Sequence, residues 1–285
     1  MPDLPGGDGN AEEGDARLRV LDLCAGREGW GAAFRERGHD YVPLELFQGS
    51  PWQMAMDVRT FARNPGGVLD ALVRPGWRPH AIVAGPPCQG FSPATLGLMW
   101  DNSSGVPIPK HETAETGLTV LTGVLEAIRK LQPPYWWMEN PRGMMRKMPH
   151  VANVPRVTIT YCQYGETTQK PTDLWGRWPA SWTPRPVCSG DPRLGTVTTP
   201  EGLVRVLDRN GRPCHVAAPR GSRTPGSTQG KVGSALRALI PLELSRDVCA
   251  ALETALKVAP GMPRLLAWEP PQPARRGGQQ SLGRF

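Results

Sequence analysis

Apolar positions along the chain fall into short β-rich runs that alternate with stretches of helical spacing, the pattern of a parallel sheet covered by helices. Residues 18–23 predict a first buried strand, followed by a Gly-containing turn and a helix over about 30–37, and residues 41–46 predict the second strand. A further strand over 80–84 runs straight into Gly85-Pro86-Pro87-Cys88, which can continue neither strand nor helix. A helix over about 114–131 leads through Pro133-Pro134 to a strand over 135–138 that ends at Glu139-Asn140-Pro141. A last helix over about 242–256 carries apolar residues at helical spacing and is expected to pack back on the core. The fold class is therefore α/β, with Cys88 and Glu139 delivered to strand carboxyl ends, the edge at which open α/β sheets bind ligands.

The pattern fails in three places. Residues 1–16 are Gly-rich and acidic, and residues 260–285 are rich in Pro, Gly, Gln and Arg, so both ends read as disordered around a folded unit of roughly 17–259. Over 176–230 the alternation gives way to Pro, Gly and Arg, with eight Arg against three acidic residues, a candidate second lobe. The expected organisation is thus a catalytic unit of 17–175 with 231–259, a small irregular lobe of 176–230 and a basic tail.

With 285 residues, the chain can bury one full α/β core plus a small module. Its hydrophobic fraction of 39% and mean hydropathy of −0.38 suit a soluble protein, and no apolar run approaches membrane-spanning length. The first sixteen residues lack the basic start and apolar stretch of a secretory signal, so a reducing cytoplasm and mostly free thiols are expected. Net charge is +7, but Asp3, Asp8, Glu12, Glu13 and Asp15 lie in that first segment, leaving +12 on the rest. A body this basic suits a polyanionic partner.

Asp22-Leu23-Cys24-Ala25-Gly26 closes a strand and enters a helix, a geometry that turns backbone N–H groups toward a nucleotide-like ligand. Glu45 follows at the end of the second strand, placed to accept hydrogen bonds from ribose hydroxyls, and Asp57 could accept an adenine amino group. Gly85-Pro86-Pro87-Cys88-Gln89-Gly90-Phe91-Ser92 presents a cysteine among turn formers, and a thiolate suits attack on an unactivated aromatic carbon. Cys24, Cys162 and Cys249 read instead as small buried hydrophobes. Cys162, Cys188, Cys214 and His215 could form a Cys₃His zinc site, yet no CxxC pair is present and adjacent Cys-His ligands are uncommon, so no metal is assigned.

In this order and spacing, residues 22–34, 85–92 and Glu139-Asn140-Pro141 resemble the DNA cytosine-C5 methyltransferase family, over roughly 18–175 and again at 231–256. The resemblance implies a Rossmann-like S-adenosylmethionine-dependent sheet with a target-recognition lobe. It implies Cys88 as nucleophile on C6 of a flipped-out cytosine in duplex DNA and Glu139 as its partner at N3. Cofactor contacts are implied for Asp22, Cys24, Ala25, Gly26, Gly29, Trp30, Glu45, Leu46, Asp57, Val58 and Pro86. Substrate contacts are implied for Pro87, Gln89, Ser92, Asn140, Arg142, Gln169, Lys170 and Arg220, with residues 93–113 as a lid. The chain is expected to act as a monomer.

Departures from the family pattern are equally specific. Glu28 stands where a Gly is usual, Tyr164-Gly165 is followed by Gln169, Lys170 and Pro171 without two arginines, and Ile240-Pro241 is what remains of the last motif. Lys170, Arg142 and Arg220 are three candidates to replace the missing cation. These features resemble a compact, phage-like branch. Residues 218–223, and less so Arg275-Arg276, are candidate phosphate contacts. Alternatives are a related C5 modification with another donor or a nucleotide substrate, and a catalytically silent DNA-binding relative.

Overall fold

The computed structural model describes residues 17–258 apart from 48, 50, 52, 94–95, 189–194, 209 and 217–237. The residues 1–16, 218–223, Arg220 and 260–285 read above therefore lie outside the described residues. Strands β1 (Arg19–Leu23), β2 (Asp40–Glu45), β3 (Met54–Ala55), β4 (Ala81–Ala84), β7 (Tyr135–Pro141), β8 (Arg156–Thr160) and β9 (Pro171–Arg177) form one sheet in the order β3-β2-β1-β4-β7-β9-β8. Neighbours from β3 to β7 pair in parallel, whereas β9 runs antiparallel to both β7 and β8.

Both faces of the sheet are covered, which is why its inner strands read as continuous apolar runs. Leu21 and Leu23 face a layer built on α2 (Val58–Phe61), α3 (Pro65–Leu72) and α5 (Glu112–Leu131), where Leu121, Val124 and Ile128 pack. Val20 faces the other layer, made by α1 (Gly31–Glu36) and α6 (Leu242–Val258) through Phe34, Leu244 and Val248. Each such fully buried Leu or Val contributes roughly 1.5–3 kcal/mol. His111 caps α5 by accepting the Thr113 N–H, and the left-handed Gln132 ends it just before the two prolines. Ser245 pins α6 to α1, its hydroxyl donating to the Trp30 carbonyl at 2.5 Å.

One strand reaches beyond its predicted bounds, and another, which the pattern does not predict, passes the expected end of the catalytic unit. β7 continues through Glu139, Asn140 and Pro141 because β9 supplies ladder partners, Leu174 opposite Glu139 and Asp173 opposite Asn140. β9 itself continues to Arg177, and the segment after it lies on the core: Trp182 meets Trp137 edge to face, and Arg185 holds Asp247 at 2.8 and 2.9 Å. A separate antiparallel sheet follows, of β10 (Thr196–Thr198), β11 (Val204–Leu207) and β12 (Pro213–Val216).

The stretch read as a lid contains α4 (Leu96–Met99) and a short hairpin of β5 (Trp100–Asp101) with β6 (Ile108–Pro109). Trp100 anchors it, buried, stacked on Phe91 and donating its indole N–H to the Gly90 carbonyl. Among the described residues, no helix is long and apolar enough to cross a membrane.

Candidate active site

From β1 the chain winds outward to β2 and β3, then returns to β4 on the opposite side of β1. The carboxyl ends of β1 and β4 therefore flank the crevice at the sheet's topological switch point. The Gly85 N–H donates to the Leu23 carbonyl at 3.0 Å and holds the two loop starts together. A cavity of about 540 Å³ opens there, a size typical of small-molecule sites.

One end of the cavity is a recess between the ends of β1 and β2 and the start of α2. Cys24, Ala25, Gly26, Gly29 and Trp30 line it from the β1–α1 turn, Glu45 and Leu46 from the end of β2, and Asp57 and Val58 from the start of α2. Glu45 accepts the N–H groups of Gly26, at 2.7 Å, and Leu46, at 2.8 Å, so its carboxylate is fixed at the rim. Asp57 caps α2 by accepting the Arg59 N–H, and hydrogen bonds from the Arg59 side chain hold its carboxyl below the usual range. Burial, then the neighbouring Glu45, pushes the Cys24 thiol up, so it serves as wall and not as nucleophile. Gly29 is required by close approach: a Cβ there would stand 2.8 Å from the Ile240 nitrogen, which closes the recess from the α6 side.

Asp22 is a correction. It does not line the cavity, because strand alternation turns it with Val20 toward the α1–α6 layer, where it is fully buried and accepts the Tyr41 hydroxyl. Burial pushes its carboxyl up to about 8.

Pro86, Pro87, Cys88 and Gln89 bring the β4 loop to the other end of the same cavity, facing Glu139 and Lys170. The N–H groups of Phe91 and Ser92 donate to the Cys88 carbonyl, at 3.0 and 2.9 Å, and form the turn that presents this residue. Asn140, buried, donates its side-chain amide to the Pro86 carbonyl at 2.9 Å and fastens the loop to β7. On the opposite side the Met144 N–H donates to the Phe91 carbonyl at 2.7 Å, and Gly143 permits the contact, since a Cβ would fall 2.1 Å from that oxygen.

Glu139 is buried and doubly addressed. The Tyr161 hydroxyl donates to Oε1 at 2.9 Å, and Lys170 Nζ lies 3.6 Å from the same oxygen and 4.1 Å above the Tyr161 ring. Burial, followed by the Glu139 charge, holds the Tyr161 phenol well above its ordinary range, so it remains a donor.

Four expected substrate contacts, Ser92, Asn140, Arg142 and Gln169, are not among the residues that line the cavity. Gln169 donates to the Cys188 carbonyl at 3.0 Å and so braces the neighbouring segment, and Arg142 is exposed. Sequence reasoning missed Tyr161, which looks like any core aromatic after a strand, and Arg27, Phe47 and Arg59, which line the recess from positions with no motif.

No family model matches the chain. It is 25% identical over 171 residues to the protein of frog virus 3 (isolate Goorha) named "Probable DNA (cytosine-5)-methyltransferase", across 55% of this chain and 70% of that one. The likeness is to a protein that bears the name of a cytosine-5 methyltransferase. Two solved structures are also similar. A prophage-encoded E. coli protein described as a "putative DNA modification methyltransferase" matches at TM-score 0.39 and 17% identity, over 56% of this chain and 46% of that one. The S. pombe Dnmt2 methyltransferase matches at TM-score 0.36 and 15% identity, over 56% and 49%. The chain spans about half the length of these two solved structures.

Two of the departures from the expected pattern have a structural counterpart. Glu28 sits at φ +59°, in the left-handed region that favours the glycine it replaces, and is ion-paired with Arg35. Of the two candidate cations among the described residues, Lys170 and Arg142, Lys170 lies beside Glu139; Arg220 lies outside them.

Proposed function

We propose that this chain is a DNA cytosine-C5 methyltransferase acting on double-stranded DNA as a monomer, with Cys88 as nucleophile and Glu139 as acid and anchor for the base. One observation carries the reading: Cys88 and Glu139 share a single cavity with the Glu45 rim, so a thiol and a carboxyl group lie within reach of whatever the recess holds.

The recess suits S-adenosylmethionine. Apolar walls from Trp30, Val58 and Leu46 match a purine ring, Glu45 retains acceptor capacity for ribose hydroxyls, and Asp57 lies on the adenine side. When bound, the cofactor supplies a sulfonium methyl group, an electrophilic carbon.

The chain's own residues supply the rest. Cys88 sulfur bonds to C6 of cytosine, and the C5–C6 π electrons become available at C5. Glu139 hydrogen-bonds N3 and the exocyclic amine, where charge builds, while Tyr161 and Lys170 fix its orientation and offset its charge. After C5 gains the methyl group its proton leaves to solvent, the double bond re-forms and the thiolate departs. C6 is hidden in a duplex, so the target base must leave the stack, and the cavity mouth beside Pro87 and Gln89 receives it.

The test is a covalent trap. Duplex DNA containing 5-fluorocytosine, incubated with S-adenosylmethionine, is expected to form a denaturation-resistant adduct with the wild-type chain and none with Cys88→Ala. Absence of an adduct while both ligands bind would overturn the proposal. Mass spectrometry of the product base reads the transferred group.

A further inference from the structure

We propose that Cys162, Cys188, Cys214 and His215 form a structural zinc site that fastens the small β10–β12 sheet to the catalytic core. Their candidate ligand atoms all lie within 4.8 Å of one another, and all four residues are buried. Cys188 Sγ is 2.9 Å from Cys214 Sγ and 3.6 Å from His215 Nδ1, and Cys214 Sγ is 3.2 Å from that nitrogen. All three spacings lie below the ~3.8 Å edge of a tetrahedron whose centre-to-sulfur distance is ~2.3 Å, so the ligands stand close enough for one ion to be held after they part slightly around it. The two sulfurs are well beyond the ~2.05 Å of a disulfide.

The chain brings the four ligands from three separate places. Cys162 follows β8 on the core, Cys188 ends the segment clamped to α6 through Arg185, and Cys214-His215 belong to β12. Sequence neighbours on a strand ordinarily face opposite ways, which argues against a Cys-His pair sharing one ion. The β12 ladder removes the objection. Leu207 pairs with Pro213 and Arg205 with Val216, so Cys214 and His215 together stand opposite Val206 alone. That is a β-bulge, the device that re-aims one side chain of a strand.

The sheet also needs a fastener. β10 is exposed throughout, and among the described residues the cluster of Cys162, Cys188 and Cys214 takes only Val206 as a packed apolar neighbour. So small a module has no apolar core of its own, and a metal bound by three thiolates and an imidazole replaces one. The ligand set is soft and closed, with no position left for a substrate, which favours zinc in a structural role. Positioning comes from the shell around it: the Thr160 hydroxyl accepts the Cys188 N–H at 2.9 Å, and Gln169 holds the Cys188 carbonyl.

Native mass spectrometry of the full chain, purified in a non-chelating reductant, is expected to show one bound zinc. Cys162→Ser and Cys188→Ser should each reduce zinc to background. Cys249→Ser should leave it in place, although Cys249 stands in a second group with His39 and Glu253. Because a ligand variant may fail to fold, the wild-type chain is also loaded with Co²⁺, for which the intense ligand-field bands of a tetrahedral thiolate site are expected. Zinc at background in the wild-type chain even after zinc addition, zinc that survives Cys188→Ser, an octahedral cobalt spectrum, or a mass lower by two hydrogens marking a Cys188–Cys214 disulfide would each overturn the assignment.

Discussion

Lys170 reaches Glu139 from the opposite direction to every other group at the site. Cys88, Glu45 and Glu139 are carried outward by parallel strands, whereas Lys170 immediately precedes β9, which runs the other way, so its Nζ arrives 3.6 Å from the Glu139 carboxylate.

That pairing predicts a kinetic effect. Lys170→Met should lower the single-turnover methylation rate by roughly 10²-fold, the usual scale for one electrostatic partner of a developing charge, while Lys170→Arg should retain most activity. Cofactor affinity should not change in either variant. An unaltered rate in Lys170→Met would remove this residue from the grip on the base.

Glu45 should act on binding and not on chemistry. Glu45→Ala removes the acceptor fixed by the Gly26 and Leu46 N–H groups, and S-adenosylmethionine affinity is expected to fall by roughly 10–100-fold by calorimetric titration. At saturating cofactor, the turnover number should stay near that of the wild-type chain.

Asp22 gives a pH signature of stability. Its folded carboxyl titrates at about 8 against 3.8 in the unfolded chain, so the folded state holds the proton more tightly. The stability this provides is complete below the unfolded value and is lost as pH rises through the folded one. Asp22→Asn keeps an acceptor for the Tyr41 hydroxyl and cannot ionise. Its stability relative to wild type, from denaturant midpoints, should therefore climb by on the order of 3 kcal/mol between about pH 5 and pH 8. A pH-independent difference would show that the Asp22 proton is not involved.

How far the site could be read from sequence depended on how local each signal was. Cys88 and Glu139 were legible because turn formers and strand ends mark them, and both do reach one cavity. Asp22 was misplaced because a strand buried on both faces gives no period of two to say which side chains turn toward the crevice. Tyr161 was hidden for a different reason: its role depends on a partner 22 residues away, on another strand. The Cys162–His215 group stayed unassigned because a bulge, which spacing does not reveal, is what aligns Cys214 with His215.

The clamp between Arg185 and Asp247 joins residues 62 positions apart in the chain. The polypeptide between them begins and ends at one fastened point on the helical layer, so the closure entropy of that excursion is met by the core. Lengthening the excursion between β12 and Ile240 then costs little, since loop entropy grows only with the logarithm of length. A foreign segment could be inserted there while Ile240 still closes the recess, Ser245 still pins α6, and the sheet and thiol loop keep their geometry.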